Sequence, residues 1–401
     1  MLAGHCDARF NAVRDALEGN FRDHDELGAA VHVRVGGRSV VDLWGGYRDL
    51  AGTSPWQRDT LVNVYSVGKG VLAILALGLV QRGLLDLDRP VRELWPEFGV
   101  EGKQAVSLRT LLSHRAGLPA VRRRLPEAAM FDWSLMCSEL AGQPPYWEPD
   151  SAHGYHCNTF GYLVGEVVRR ATGLDVGRAL RRYVAGPLAA DFFYGLPAVH
   201  HARTADISTV DVKLSGPEQW AMAFPATGDD EHDTMVWHTY FNPGGISGLG
   251  FVNSERWRLA QIPSTNGHGT ARAVSAIYDA VLSGPSHSTH SPQSPEFPES
   301  REGDRWLGAE LLAEALRIHS DGEDRVLGRP SRFGLGFQLA QPGRPLGPNS
   351  EAFGHYGHGG SLGFADPVAG VAFCFLTNRP GKRWQTTRAG RLVDAVYQSL
   401  A

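Results

Sequence analysis

SVGKGVLAILALGLVQRG, residues 66–83, carries apolar side chains on most helical faces, with Ser66 placed to open a helix and Gly83 to close it. A surface helix shows a single apolar stripe, so this passage predicts a helix buried on nearly all sides. Its apolar run, Val67 to Val80, is about 14 residues long and contains Lys69. That is short of the ~20 residues needed to cross a bilayer, so the helix is expected at the centre of a globular core.

Outward from that helix, AAVHVRVGGRSVVDLW (29–44) alternates apolar and polar residues around Gly36-Gly37, the pattern of an antiparallel hairpin. Before it, Phe10, Val13 and Leu17 keep helical spacing over residues 8–20. After it come further helical periods at 107–112 and 159–182, the second interrupted at Thr172-Gly173. RFGLGFQLA (332–340), SLGFADP (361–367) and GVAFCFLTNR (370–379) are short apolar runs divided by Gly and Pro, and TTRAGRLVDAVYQSL (386–400) predicts a closing helix. Strands at both ends with helices between predict an α+β fold: an antiparallel sheet built from both chain ends, flanked by helices, with a mainly helical part from the middle. The expected limits are one unit over 1–401, a sheet subdomain at about 1–90 and 315–401, and a helical subdomain at about 91–314 with an exposed Pro/Ser-rich loop at 284–301.

Composition narrows the function classes. Apolar residues are 42% and charged residues 20%, which excludes wholesale disorder, and a net charge of -4 without long runs of one sign argues against a nucleic-acid partner. Cys6, Cys137, Cys157 and Cys374 are too few and too scattered for a disulfide framework. The N-terminal residues lack the apolar core of a secretory signal, so a cytoplasmic location and no membrane partner are expected.

The chemistry concentrates in Ser66-Val67-Gly68-Lys69. Positions i and i+3 share a helix face, so a hydroxyl at the first turn and an amine one turn on can point into the same space. A lysine in apolar surroundings loses its charge more readily and can act as base on the serine. The same four residues also fit an N-cap serine followed by a lysine that snorkels to solvent.

Several stretches in fixed order resolve that choice: VYSVGKG (64–70), LRTLLSHRAGLP (108–119), GYHCNTFGYLVGEVVRRATG (154–173), STNGHGTARA (264–273), RFGLGFQLA and FGHYGHGGSLGFADPVAG (353–370). Together they resemble the serine β-lactamase-like superfamily, in its class C-like branch, and most of all the family VIII carboxylesterases. The resemblance implies a β-lactamase/DD-peptidase-like fold and an acyl-enzyme on Ser66, with Lys69 and Tyr155 handling its proton. Tyr155 matches the Tyr-x-Asn element, but Cys157 fills the asparagine slot and Asn158 comes one residue late. His355-Tyr356-Gly357 matches Lys-Thr-Gly, and the resemblance makes the backbone N–H groups of Ser66 and His358 an oxyanion hole. Near Lys69 a Tyr155 phenolate is expected to be stabilised, and any help from a charged His355 would depend on pH near its ordinary value of about 6.5. The Lys69–Tyr155 pair is expected to lose its first proton in the neutral to mildly alkaline range, giving an optimum at about pH 7.5 to 9.

Other patterns compete less well. Gly359-Gly360-Ser361-Leu362-Gly363 satisfies the G-x-S-x-G nucleophile elbow, yet no histidine follows His358, so the order Ser, acid, His fails. The pairs His153/His156, His287/His290 and His355/His358 lack the H-E-x-x-H arrangement, and neither a metal nor any other cofactor is expected. NPGGISGLG (242–250) and NGHGT (266–270) lack P-loop and Rossmann spacing and are expected to shape turns near a cleft.

The expected activity is hydrolysis of short-chain carboxylic esters, with a small-molecule ester as substrate and neither nucleic acid nor membrane as partner. Trp133, Tyr146, Trp147, Asn158 and Phe241 are the candidate pocket residues, and His355 and Gly357 the supporting ones. A β-lactamase or D-amino-acid peptidase on the same fold is the first alternative; a catalytically silent binding protein is the second.

Overall fold

Gly36 and Gly37 take φ of 55° and 79°. These are the two left-handed residues that a two-residue hairpin turn needs, and they join β2 (Gly28–Val35) to β3 (Arg38–Gly46) in antiparallel register. β1 (Ala3–Cys6) pairs with the other edge of β3. The computed structural model describes residues 2–208, 226–283, 306–381 and 387–401. The loop expected at 284–301, with His287 and His290, lies outside the described residues.

β4 (Val62–Asn63), β5 (Phe192–Phe193) and β6 (His268–Gly269) form a small sheet in the order β4-β6-β5. The main sheet is completed late in the chain by β7 (Ser320–Asp324), β8 (Arg329–Phe333), β9 (Gln338–Leu339), β10 (Phe353–Tyr356), β11 (Leu362–Asp366) and β12 (Val371–Thr377). Its order is β1-β3-β2-β12-β11-β10-β9-β8-β7, and every neighbouring pair is antiparallel. The two chain ends meet where β2 pairs with β12, as the hairpin and the late apolar runs require.

Among the described residues the α-helices are α1 (Asn11–Asp23), α2 (Val67–Gln81), α3 (Leu108–Leu112), α4 (Trp133–Gly142), α5 (Phe160–Thr172), α6 (Val176–Leu180), α7 (Asp230–Phe241), α8 (Glu255–Leu259), α9 (Ala271–Ser283), α10 (Ala309–Leu316) and α11 (Thr387–Leu400). Gly173 ends α5 in the left-handed conformation, at the predicted interruption. Strand alternation distributes the core between two faces. Val371, Phe373 and Phe375 of β12 pack with α1 and α11, whereas Ala372, Cys374 and Leu376 join the larger core around α2 and α9. Helix α9, from the stretch read as the helical part, therefore lies against the sheet.

All residues of α2 from Val67 to Leu79 are buried, so the helix is enclosed on every side. Close contact depends on Gly70: a Cβ there would overlap the Tyr278 hydroxyl of α9 and lie 3.1 Å from its ring carbon Cζ. Gly70→Ala is expected to destabilise the protein by about 2–4 kcal/mol, read from thermal unfolding. The Tyr278 hydroxyl is buried without a hydrogen-bond partner among the described residues. Tyr278→Phe alone is therefore expected to be neutral or stabilising, and to recover part of the loss in the double variant. Equal losses with and without the hydroxyl would rule out this contact as the cause.

Candidate active site

Tyr65 has φ of 50°, a left-handed value that an aromatic side chain rarely adopts. This bend turns the chain from β4 directly into α2. Behind it, Val64 N–H donates to the Gly267 carbonyl at 2.8 Å, so the turn before β6 pins the junction. Ser66 stands at the N-cap of α2, but its φ and ψ are helical and its hydroxyl caps no backbone N–H. Lys69 Nζ instead donates to Ser66 Oγ at 2.9 Å. Of the two roles open to this serine in the sequence, the capping role is not the one adopted.

Lys69 is fully buried, which also removes the snorkelling alternative. Its second bond goes to the Ser264 carbonyl at 2.9 Å. Burial lowers its ammonium from the ordinary 10.5 to about 8, with Cys157 pulling weakly upward. Ser264 was not singled out as a ligand in the sequence; its hydroxyl also accepts from Gly161 N–H at 2.6 Å, where a Cβ on Gly161 would lie 2.5 Å from the Ser264 nitrogen.

Tyr155 completes the group from the turn before α5. Its phenol is close enough to the Ser66 hydroxyl for that group to favour its ionised form, and Lys69 Nζ lies 5.0 Å from its ring centroid. The ring is held by Phe333, stacked at 5.9 Å, and by the edge of His114 at 5.1 Å. Burial is the largest influence on this phenol and pushes it well above the ordinary value of 10. The expected phenolate is thereby corrected: burial disfavours the ionised phenol, and Tyr155 keeps its proton.

His355 lies on β10 beside Tyr155. Its Nδ1–H donates to the Tyr356 carbonyl at 2.7 Å, which leaves Nε2 as an acceptor 3.5 Å from the Tyr155 hydroxyl. Burial first, then the charge of Lys69, lowers His355 to about 3. A pH-dependent charge near 6.5 is thus also corrected, because the histidine is neutral throughout the working range.

A Cβ on Gly357 would lie 2.6 Å from the Val64 carbonyl, so the absence of a side chain there lets the end of β10 close on the Ser66 junction. His358 follows in a short 3-10 turn (His358–Gly360), its ring exposed and edge-on to Tyr65 at 5.3 Å. Among the described residues no hydrogen bond takes up the backbone N–H of Ser66 or of His358.

The structure divides the candidate pocket residues. Tyr146 and Trp147 pack in one cluster with Tyr155, Cys157 and Tyr240. Trp133 does not join them: its indole N–H donates to Glu166 at 2.7 Å and its ring covers Gly165, packing α4 on α5. Asn158 is corrected as well. Its amide donates to the Thr239 carbonyl and Ser247 Oγ and accepts from Thr265 Oγ1, so it ties the turn before α5 to α7 and to the 264–266 turn. Phe241 packs on Trp237 within α7. Ser361 is buried, and its hydroxyl accepts from Thr377 N–H at 3.4 Å. His153 bonds Ser331 Oγ, and His156 donates to the Gly154 carbonyl while accepting from Leu118 N–H, so both rings are held by protein groups.

Sequence reasoning also missed Asp324. This fully buried carboxylate accepts from the backbone N–H groups of Tyr155 (3.0 Å), Val326 and Leu327 and from Ser331 Oγ (2.7 Å). Asp324→Ala is expected to cost about 3 kcal/mol and to lower kcat about 10-fold, because it frees the backbone of Tyr155. Asp324→Asn keeps the Oδ1 acceptor and should lose less; thermal unfolding and ester kinetics on both variants check this.

Comparison with known proteins identifies the family and the fold. The Beta-lactamase family model matches residues 13–398. The chain is 33% identical over 381 residues to Esterase/beta-lactamase LipL of Mycobacterium tuberculosis, covering 94% of this chain and 82% of that protein. The crystal structure of a family VIII carboxylesterase superposes with a TM-score of 0.86 at 34% identity over the full length of both chains. A penicillin-binding protein homologue from Caulobacter crescentus superposes at 0.85 with 35% identity, again over both full chains. With nearly its whole length matched, this chain belongs to the Beta-lactamase family of serine hydrolases, and its fold is the β-lactamase/DD-peptidase-like α+β fold.

Proposed function

We propose that this hydrolase is a serine carboxylesterase acting on short-chain esters through an acyl-enzyme on Ser66. The observation that carries the reading is the 2.9 Å contact between Lys69 Nζ and Ser66 Oγ, with a buried lysine lowered to about 8. Neutral Lys69 takes the Ser66 proton as Oγ attacks the ester carbonyl. The oxyanion accepts from the Ser66 and His358 N–H groups, which no protein acceptor occupies. Tyr155, a protonated phenol, gives its proton to the leaving alkoxide and recovers one from Lys69. Water then attacks the acyl carbon with the same groups in reverse, releasing the acid and restoring the Ser66 hydroxyl.

Short acyl chains follow from the aromatic wall of Tyr146, Trp147 and Tyr240 packed with Tyr155. No helix among the described residues is long and apolar enough to cross a membrane. With four free cysteines we place the enzyme in the cytoplasm. The β-lactam alternative is favoured by one observation, the name of the Mycobacterium tuberculosis relative. A series of p-nitrophenyl esters from acetate to laurate, with nitrocefin alongside, tests the reading. Acetate or butyrate should be turned over fastest. Faster nitrocefin turnover would favour the β-lactamase, and faster laurate turnover would remove the short-chain preference.

A further inference from the structure

The turn carrying the His358 N–H is built from glycines: Gly357, Gly359 with φ of 76° and Gly360 with φ of 109°. Such a segment has little conformational preference of its own, whereas an oxyanion donor has to be fixed before the reaction. Part of the restraint is local, since Gly357 N–H donates to the Ser361 carbonyl at 2.7 Å. The rest comes from the end of the chain. Arg388 of α11 donates through Nη2 to the Gly359 carbonyl at 3.0 Å and to the Arg379 carbonyl at 2.9 Å. Gly381 N–H donates to the same Gly359 carbonyl at 2.8 Å, and a Cβ on Gly359 would overlap Pro380.

Arg388 is itself anchored. Its Nη1 pairs with Glu26 Oε2 at 2.9 Å, the Glu26 side chain being fully buried and that of Arg388 nearly so. Thr377 Oγ1 donates to the other Glu26 oxygen. A buried ion pair contributes little net stability against a well-packed apolar replacement, so its retention at this point is better explained by what it positions. We infer that Arg388, held by Glu26, is a positioning residue for the esterase reaction: by fixing the Gly359 carbonyl it sets the His358 N–H that receives the oxyanion. The inference rests on the oxyanion role proposed above for His358.

The test uses the full chain as Arg388→Met, Arg388→Lys and Glu26→Gln, with rates expressed per Ser66 titrated to completion by a fluorophosphonate. For Arg388→Met, kcat on p-nitrophenyl butyrate should fall about 20–100-fold with KM within threefold, below the ~10²–10³ seen when such a donor is removed outright. Affinity for phenylboronic acid, whose tetrahedral adduct takes the same N–H groups, should fall by a matching factor. Arg388→Lys should be intermediate, and Glu26→Gln should lose about 3–10-fold. The pH at which kcat/KM levels off should not move, because Lys69 is untouched. Unchanged per-site kcat and boronate affinity would reduce the pair to a folding role. A fall in kcat without a fall in boronate affinity would also overturn the inference. If Arg388→Met does not fold, Glu26→Gln and Arg388→Lys decide by the same criteria. A wild-type protein that neither binds phenylboronic acid nor labels at Ser66 would overturn the active-site reading, and this inference with it.

Discussion

Ser66→Ala is expected to lower kcat/KM for p-nitrophenyl butyrate by ~10⁴-fold or more, the scale on which nucleophile removal acts in serine hydrolases. Ser361→Ala should stay within about threefold. The two serines differ in what surrounds them. Ser66 Oγ receives Lys69 at 2.9 Å and lies close enough to the Tyr155 phenol to influence it, while its neighbouring N–H groups are free for an oxyanion. Ser361 is buried between β10 and β11, its oxygen occupied by Thr377 N–H. It joins strand to strand, not strand to helix, so the G-x-S-x-G pattern lacks the setting that exposes a nucleophile. Intact mass after fluorophosphonate treatment gives a second readout. An adduct should form on wild type and Ser361→Ala but not on Ser66→Ala; the reverse pattern would sink the assignment.

The contrast between these serines shows which features the sequence makes legible. Ser66 and Lys69 are one helical turn apart, so local geometry alone brings them together. The hairpin at Gly36-Gly37 and the α5 stop at Gly173 are legible for the same reason: each is a backbone requirement met by adjacent residues. Tyr155 lies 86 positions beyond Lys69 and entered through a resemblance, because no local rule relates them. The Ser264 contact was not legible, since a backbone carbonyl has no signature in residue type and the turn that presents it is set by packing against Gly161. The bond from Tyr155 N–H to Asp324 and the hold of Arg388 on the Gly359 carbonyl were hidden likewise, because in each the partner is a backbone group distant in sequence. The errors at Trp133 and Asn158 share a cause: aromatic or amide character is compatible with a pocket wall and with helix packing, and only tertiary placement separates them. The charges expected at Tyr155 and His355 are not adopted because burial, invisible in the sequence, disfavours the charged form of each, raising the phenol and lowering the imidazole.

Lys69→Met should have the other large effect, a loss of ~10³-fold or more in kcat/KM together with a gain in stability. In wild type kcat/KM should rise about tenfold per pH unit up to about 8 and then level off, because only neutral Lys69 accepts the Ser66 proton. His355→Gln should leave this limb in place, since His355 carries no charge above about 3 and supplies no falling alkaline limb. Residual activity of Lys69→Met should lack the limb near 8. The stability argument has a definite sign. The lysine binds its proton less tightly folded (about 8) than unfolded (10.5), so the unfolded chain holds the extra proton between those values and stability rises with pH across that window. Below 8 the native state carries the whole penalty, about 3 kcal/mol for a lysine lowered from 10.5 to about 8. Methionine removes that penalty but leaves Ser66 Oγ and the Ser264 carbonyl without their donor, a loss of roughly 1–2 kcal/mol. The net gain at pH 7 should be about 1–2 kcal/mol, visible as a higher Tm, and it should shrink between pH 8 and 10.5. A variant that is inactive and also less stable at pH 7 would mean that Lys69 is buried at no cost, and the lowered pKa that makes it a base would go with it.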